Sequence, residues 1–222
     1  MAAAAHPQTR RANTSGSEPV GGPRVWQRML SGRRLDLLQP DPKDIELTDI
    51  AHGLARVARW NGQTRGDHAF SVAQHSVVVR DVVMVLEPGL GREAELAALL
   101  HDAAEYVIGD LISPFKSSIG GAYRDIESGL LAAIYRRFEI DPAAVDVVTG
   151  QIKRADRIAA YHEATGLAGF DPLEAETYFG RPPPLPDTLT TRLTALQAVS
   201  ANAAQKTFFD ACNRLLAGHD PR

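Results

Sequence analysis

Apolar residues recur every three or four positions through most of the chain, a spacing that predicts helices and hence an all-α fold. The predicted helices begin near Thr48, Val72, Glu93, Ala122, Pro142 and Ala201. Two of these starts carry capping signals, since Ser71 precedes the second helix and Asp141-Pro142 opens the fifth. The valine-rich segment 72–86 also fits a buried strand, but its length favours a helix.

The regular pattern is absent from three parts of the chain. We expect residues 1–24 to form a disordered tail, because they are polar and lack an apolar core. A short helix followed by an extended piece is expected over 25–38, and no β-hairpin is predicted. The proline-rich segment 171–187 is expected to be irregular. One domain is therefore predicted over 25–217, with its core at 49–166, a C-terminal extension at 167–217 and a tail at 218–222.

The predicted helix over 93–108 places three polar residues among apolar neighbours. His101, Asp102 and Glu105 occupy positions i, i+1 and i+4, so an unbroken helix carries them on one flank. Burying an imidazole and two carboxylates is costly unless another group pairs with them. A divalent cation is the simplest partner.

Composition narrows the classes of function. The 222 residues carry a net charge of −3, with a sequence pI near 6.2, so no general basic field is available to bind nucleic acid. The single cysteine, Cys212, excludes an internal disulfide and a cysteine-based zinc site. No apolar run approaches the roughly 20 residues that cross a bilayer, and no secretory signal is recognisable. We therefore expect a cytoplasmic protein with no membrane partner.

His75, His101, Asp102 and Asp156 are candidates for one metal site, because three separate predicted helices carry them. Imidazole and carboxylate ligands suit Mn, Fe, Co, Ni, Zn or Mg and do not select among these ions. Four protein ligands leave positions open for water and a phosphate oxygen, which is typical of a catalytic site. Spacing alone leaves other roles open. His75 also suits a helix surface, His101 a bond to a carbonyl, Asp102 solvent, and Asp156 an ion pair with a neighbouring arginine.

The pattern H…HD…D formed by these four residues resembles that of the HD-domain metal-dependent phosphohydrolases. The runs RW, QHS, LLHDAAEYVIGDLISPFK and IKRADRIAAY also resemble bacterial HD-domain 5′-deoxynucleotidases and the compact HD hydrolases that act on dNTPs. The resemblance covers residues 49–163, about half of the chain. It implies a single HD-domain helical bundle with a metal site between helices.

The resemblance also implies a role for each matching residue. One divalent ion would be bound by His75, His101, Asp102 and Asp156. Proton transfer would fall to Glu105, with Asp110 as a second acid/base or a sugar contact. Phosphate would be held by Arg59 and Lys116, and Trp60 would pack on the sugar and favour deoxyribose. His162 and Glu163 are given no role.

The expected function is removal of phosphate from 5′-deoxyribonucleoside monophosphates. Gln74, the loop 61–70 and the segment after Gly169 differ from the closest deoxynucleotidase pattern, so release of triphosphate from dNTPs stays an alternative. A second alternative is a metal-stabilised nucleotide sensor without turnover. Glu105 argues against a sensor, because binding alone needs no proton-transfer group. The expected partner is a small-molecule nucleotide. The resemblance is compatible with a homodimer, although no stripe of apolar residues in the sequence indicates an interface.

Overall fold

The computed structural model describes residues 25–112, 116 and 121–218 of the chain. Helices dominate these residues, which confirms the predicted all-α class. The expected N-terminal tail over 1–24 and residues 219–222 lie outside the described part. Within the described part, no helix combines the length and the apolar composition that crossing a bilayer requires.

The described residues contain nine α-helices, numbered here in chain order. They are α1 (Leu47–Leu54), α2 (Val72–Leu86), α3 (Arg92–Leu99), α4 (Glu105–Ile108), α5 (Gly121–Arg137), α6 (Pro142–Glu163), α7 (Pro172–Phe179), α8 (Asp187–Thr194) and α9 (Ala201–Ala217). Two 3₁₀ turns lie at Pro42–Asp44 and Arg59–Gly62, and a π-helical turn at Ala164–Ala168 directly follows α6.

Helices α2 and α6 form the centre of the bundle, and α3 packs against both. The prediction of a helix over 72–86 is confirmed, and Ser71 caps it because its side chain accepts a hydrogen bond from Gln74 N at 3.3 Å. The inner face of α6 includes Ala155 and Ala159, which are fully buried. Side chains this small let neighbouring helices approach closely.

A small β-hairpin replaces the helix and extended piece expected over 25–38. Strands β1 (Trp26–Arg28) and β2 (Arg34–Asp36) pair antiparallel, with Gln27 opposite Leu35. The prediction was wrong because the turn depends on Gly32 at φ 98°, and Leu35 is anchored by complete burial in the core. The periodicity of such short strands carries little information.

The expected helix over 93–108 is interrupted at its centre. Helix α3 ends at Leu99, and α4 begins only at Glu105. Between them the backbone tightens into i→i+3 turns, with Ala103 N donating to Leu100 O at 2.9 Å and Glu105 N to Asp102 O at 3.0 Å. His101 and Asp102 therefore lie in a turn rather than on the flank of a helix.

Helix α1 is also shorter than predicted and does not deliver Arg59 and Trp60 from its C-terminal end. It starts at Leu47 and ends at Leu54, and Arg59–Gly62 forms a separate 3₁₀ turn. Asp49, in the first turn of α1, is buried and accepts hydrogen bonds from the backbone N and the hydroxyl of Ser31.

The segment 171–187 is not irregular, because α7 occupies its first half. Asp171 caps this helix by accepting from Leu173 N at 2.9 Å, and Pro172 takes the first helical position. The same Asp-Pro signal starts α6, where Asp141 accepts from Ala143 N at 2.8 Å. The expectation was wrong because the density of prolines outweighed this local signal.

Gly53 provides a test of the packing between α1 and α4. A Cβ added at Gly53 would lie 2.7 Å from Tyr106 O and 2.8 Å from Tyr106 Cβ. We expect Gly53→Ala to lower the free energy of unfolding by about 1–3 kcal/mol, since backbone and side chain must shift together. Urea denaturation measures this change.

The matched control is Gly150→Ala on the exposed side of α6, where an added Cβ meets nothing within 4 Å. This variant should be neutral or more stable by up to about 1 kcal/mol. Equal destabilisation by the two substitutions would contradict the close approach of α1 and α4.

Candidate metal centre

Two histidines face each other at the centre of the bundle, with ring centroids 5.4 Å apart. His75 lies in the first turn of α2, and its Nδ1 is 2.6 Å from Glu163 Oε1. His101 lies in the turn after α3, and its Nδ1 is 2.9 Å from Ala98 O. In the neutral form of each ring, these oxygens hold the proton on Nδ1, so the lone pair is on Nε2. Among the described residues, neither buried Nε2 makes a well-aligned hydrogen bond, and each has only aspartate oxygens near it. This is the arrangement of metal-ligating histidines.

Two carboxylates converge on the same nitrogens. Asp102 Oδ2 lies 3.2 Å from His101 Nε2 and 3.5 Å from His75 Nε2, and Asp156 Oδ1 lies 3.2 Å from His75 Nε2. The ligand atoms of His75, His101 and Asp156 all lie within 4.8 Å of one another, so this triad could hold a metal ion. The fold thus brings together all four residues that the sequence singled out, and their nitrogen and oxygen donors fit a divalent cation.

The electrostatics of the group favour a cation. Burial and the charge of Arg59 lower the pKa of His75, but Glu163 and Asp156 raise it by more, so that the net result is a pKa of about 10. Burial raises the pKa of Asp102, yet His101, His75 and Arg59 hold it well below its usual range. The carboxylates therefore stabilise positive charge at this point, whether a proton or a metal ion supplies it.

Arg59 occupies the middle of a ring of carboxylates and is largely buried, with 14% of its side chain exposed. Its nitrogens lie 3.9 Å from Asp102, 3.7 Å from Asp110, 4.0 Å from Asp156 and 3.4 Å from Glu163. Burial lowers the pKa of Arg59, but these four carboxylates more than offset it, so the guanidinium stays charged. The arginine partly neutralises the acidic site.

The turn that carries Arg59 has a strained backbone. Trp60 at φ 57° and ψ 27° and Asn61 at φ 49° and ψ 31° are both left-handed. This conformation costs a non-glycine residue roughly 1–2 kcal/mol and concentrates at functional sites. Two hydrogen bonds hold the turn in place, from Arg59 N to Phe70 O at 2.8 Å and from Trp60 Nε1 to Glu163 Oε2 at 3.0 Å.

Glu163 is the site residue that the sequence analysis missed. It is fully buried at the end of α6 and contacts His75 through one carboxylate oxygen and Trp60 through the other. Burial raises the pKa of Glu163, but His75 and Arg59 lower it by more, to about 2. The side chain is therefore ionised. Its position could have revealed it, because Glu163 follows Asp156 by seven residues, two helical turns along the same face of α6.

Glu105, Asp110 and Lys116 lie beside the metal ligands. Lys116 Nζ donates to Glu105 Oε1 at 3.2 Å and to Glu127 Oε1 at 2.9 Å. Burial, with the charges of Asp102 and Asp110, raises the pKa of Glu105 to about 8 against the opposing effect of Lys116. Burial also raises the pKa of Asp110. A carboxyl that titrates near neutrality suits general acid–base chemistry.

A cavity of about 750 Å³ connects these groups to solvent. Its lining includes most of the predicted site residues, namely Arg59, Trp60, Asp102, Glu105, Asp110, Lys116 and Asp156. The side chain of Asp156 is 44% exposed, which opens the candidate metal centre towards the cavity. A small ligand that enters the cavity therefore reaches these carboxylates and both cations.

Comparison with known proteins identifies a relative of this chain. No protein-family model matches the chain. An uncharacterised protein from Rhodobacter capsulatus is 53% identical over 162 residues, which covers 73% of this chain and 83% of the Rhodobacter protein. The chain belongs to the same family as that protein. The name of this relative states no activity.

Glu163→Gln tests whether the buried carboxylate positions the metal ligand His75. The amide keeps the shape of the side chain but carries no charge. It therefore binds Nδ1–H of His75 less strongly and no longer supplies a negative potential at the ring. We expect the dissociation constant for Mn²⁺ to rise about 10- to 100-fold in calorimetry. Glu176→Gln on α7 is the matched control, since Glu176 does not line the cavity. An unchanged Mn²⁺ affinity in a folded Glu163→Gln protein would contradict the positioning role.

Proton release gives a second, independent test of the centre. With a pKa of about 10, His75 carries a proton at neutral pH, and a metal ion at Nε2 must displace it. Between pH 6 and 8 we expect roughly one proton to leave per Mn²⁺, and the affinity to rise by up to about tenfold per pH unit. Calorimetry in PIPES and in Tris measures the released proton from the difference in heat. His52→Gln, on α1, should change neither quantity, and a pH-independent affinity would contradict the displacement of a proton from His75.

Proposed function

We propose that this protein is an HD-domain phosphohydrolase that uses one divalent metal ion to remove phosphate from nucleotides. The expected substrates are 5′-deoxyribonucleoside monophosphates, and the products are the deoxynucleoside and phosphate. One observation carries the proposal. Two histidine Nε2 atoms and two aspartate oxygens converge beside a cavity that also contains a buried carboxyl with a pKa of about 8.

The ion would be held by His75, His101, Asp102 and Asp156. These mixed ligands suit Mn, Co, Fe, Ni, Zn or Mg, so the donor set does not single out one metal. When bound, a divalent ion lowers the pKa of coordinated water and offsets the charge of a phosphoryl group. The remaining steps belong to side chains around the cavity.

Glu105 is suited to move the proton. Its Oε1 accepts from Lys116, whereas its buried Oε2 has no hydrogen-bond partner within the described residues. A pKa of about 8 lets Oε2 take a proton from the attacking water and return it to the leaving oxygen. Asp110, 3.7 Å from Arg59, would contact the sugar or act as a second acid/base.

Arg59 and Lys116 supply the positive charge that phosphate needs. The contacts of Arg59 with Glu163 and Asp110 fix its guanidinium at the cavity wall, so little conformational freedom is lost on binding. The rigid indole of Trp60 beside it would exclude a ribose 2′-hydroxyl by steric contact. Preference for deoxyribose therefore follows from the same strained turn.

One observation favours a second candidate, release of triphosphate from dNTPs. Arg157 lines the cavity, is exposed, and forms no ion pair within the described part of the chain. Arg59 and Lys116 already face carboxylates, so Arg157 is the cation most available to additional phosphates. The number of phosphates on the best substrate decides between the two reactions.

The direct test measures phosphate, pyrophosphate and triphosphate released from dNMPs, NMPs and dNTPs with Mn²⁺, Co²⁺ or Mg²⁺ and with EDTA. We expect phosphate from dNMPs, abolished by EDTA. Glu105→Gln should reduce kcat about 10²- to 10⁴-fold, since it removes the proton carrier. Glu127→Gln is the matched control, because Glu127 contacts the same lysine but does not line the cavity.

The outcomes separate the candidates. Triphosphate from dNTPs, with the same metal requirement, would move the function to the second candidate. Full turnover by His101→Ala or Asp102→Ala would refute the metal-dependent mechanism. No release from any nucleotide by metal-loaded protein would refute the enzymatic proposal.

A further inference from the structure

The cavity has an aromatic end that the phosphate chemistry does not use. Its members, here called the aromatic shelf, are Trp60, Phe170, Tyr178 and Phe179, and all four line the cavity. The ring centroid of Trp60 lies 5.7 Å from those of Phe170 and Phe179, and the centroid of Tyr178 lies 6.3 Å from that of Phe170. These are ordinary distances for aromatic pairs, and they make the rings one continuous surface.

Helix α7 builds most of the shelf. Phe170 precedes the helix, and Tyr178 and Phe179 are its last two residues. The capped start at Asp171 and the fully buried Ala175 hold the helix against the bundle. These anchors position the backbone that carries the rings before any ligand binds.

The shelf offers aromatic surface to a ligand. Tyr178 is 68% exposed, whereas Phe170 and Phe179 are half-buried beneath it. The one polar atom of the Trp60 side chain is already bonded to Glu163, so the indole presents apolar surface to the cavity. The exposed ring of Tyr178 and the packed rings beside it form a contiguous aromatic patch at the cavity wall, and such patches mark ligand-binding grooves.

Charge orients the ligand in the cavity. Arg59 and Lys116 stand with the metal-binding carboxylates, whereas Glu174 lines the cavity from α7, the helix of the shelf. With the proposed metal ion offsetting the charge of the carboxylates, Arg59 and Lys116 would attract an anionic group to that end, whereas Glu174 would repel it from the shelf. The shelf end therefore suits a flat and uncharged group that is joined to a phosphate.

We propose that the aromatic shelf is the nucleobase-binding subsite, in which the base of the nucleotide stacks on Tyr178 and Phe179. The inference rests on the proposed function for the phosphate end of the ligand. A cavity of about 750 Å³ falls within the range of roughly 300–1,000 Å³ that small-molecule sites occupy, so it can take phosphate, sugar and base together. Stacking on aromatic side chains tolerates all bases, because every base has a π-face.

The test compares dAMP with 2-deoxyribose 5-phosphate, which lacks the base. With Mn²⁺, we expect Tyr178→Ala to raise KM for dAMP about tenfold while kcat stays unchanged. The same variant should leave KM for 2-deoxyribose 5-phosphate unaltered. Tyr178→Phe keeps the ring and should restore the KM for dAMP.

Leu173→Ala is the matched control, because Leu173 lies on the same helix, is 74% exposed and does not line the cavity. It should change neither KM. Thermal denaturation checks that all three variants are folded, which the exposure of both positions favours.

The shelf and the enzymatic function can fail separately. Hydrolysis of dAMP with the same KM in wild type and Tyr178→Ala, or an equal change for both substrates, would overturn the shelf and leave the enzyme intact. If wild type releases no phosphate, calorimetry on Mn²⁺-loaded protein replaces kinetics. Tighter binding of dAMP than of 2-deoxyribose 5-phosphate, lost in Tyr178→Ala, would then support the shelf. Absence of both turnover and dAMP binding would overturn it.

Discussion

The hydrogen bond between His75 and Glu163 links every part of the candidate site. It joins α2 to the end of α6 at 2.6 Å, and both side chains are completely buried. A buried charge is tolerated only when its remaining oxygens are also paired, and the second oxygen of Glu163 meets Trp60. The same carboxylate therefore orients a candidate metal ligand and holds the strained turn that contributes Arg59. Neither end of the site can move without disturbing the other.

The interruption between α3 and α4 affects how His101 and Asp102 are directed towards His75. Adjacent residues on an α-helix point about 100° apart, so an unbroken helix would direct only one of His101 and Asp102 fully towards His75. Ending α3 at Leu99 leaves its last carbonyls without helical partners, and His101 Nδ1 satisfies one of them at Ala98 O. One imidazole thus caps the helix with one nitrogen and presents the other to the candidate metal centre.

The cavity combines two environments that helices on either side provide. At one end, buried carboxylates crowd around two cations and raise the pKa of Glu105 to about 8. At the other end, the aromatic shelf on α7 exposes apolar rings. A ligand that satisfies both ends needs an anionic group and a flat apolar group in one molecule. Nucleotides have this composition, so the two proposals concern the two ends of one ligand.

The sequence by itself determined the all-α class and most helix boundaries. The starts at Ser71 and Asp141 are legible because the capping side chain and the backbone N–H that it satisfies lie within three residues of each other. The Asp171-Pro172 start of α7 is equally legible, but the prolines that follow the helix favour an irregular segment over the same residues. The pattern of histidines and aspartates likewise sufficed to select four residues that do converge.

Tertiary structure alone decided the rest. The spacing from Asp156 places Glu163 on the right face of α6, but its role comes from a histidine 88 positions away. The left-handed Trp60 is held by the same distant carboxylate, against the preference of its own backbone. The break before Glu105 and the approach of the aromatic rings from α7 also depend on what packs against each segment. Local propensity contributes a fraction of a kilocalorie per residue, whereas burial and paired charge contribute several, so the long-range contacts prevail where the two conflict.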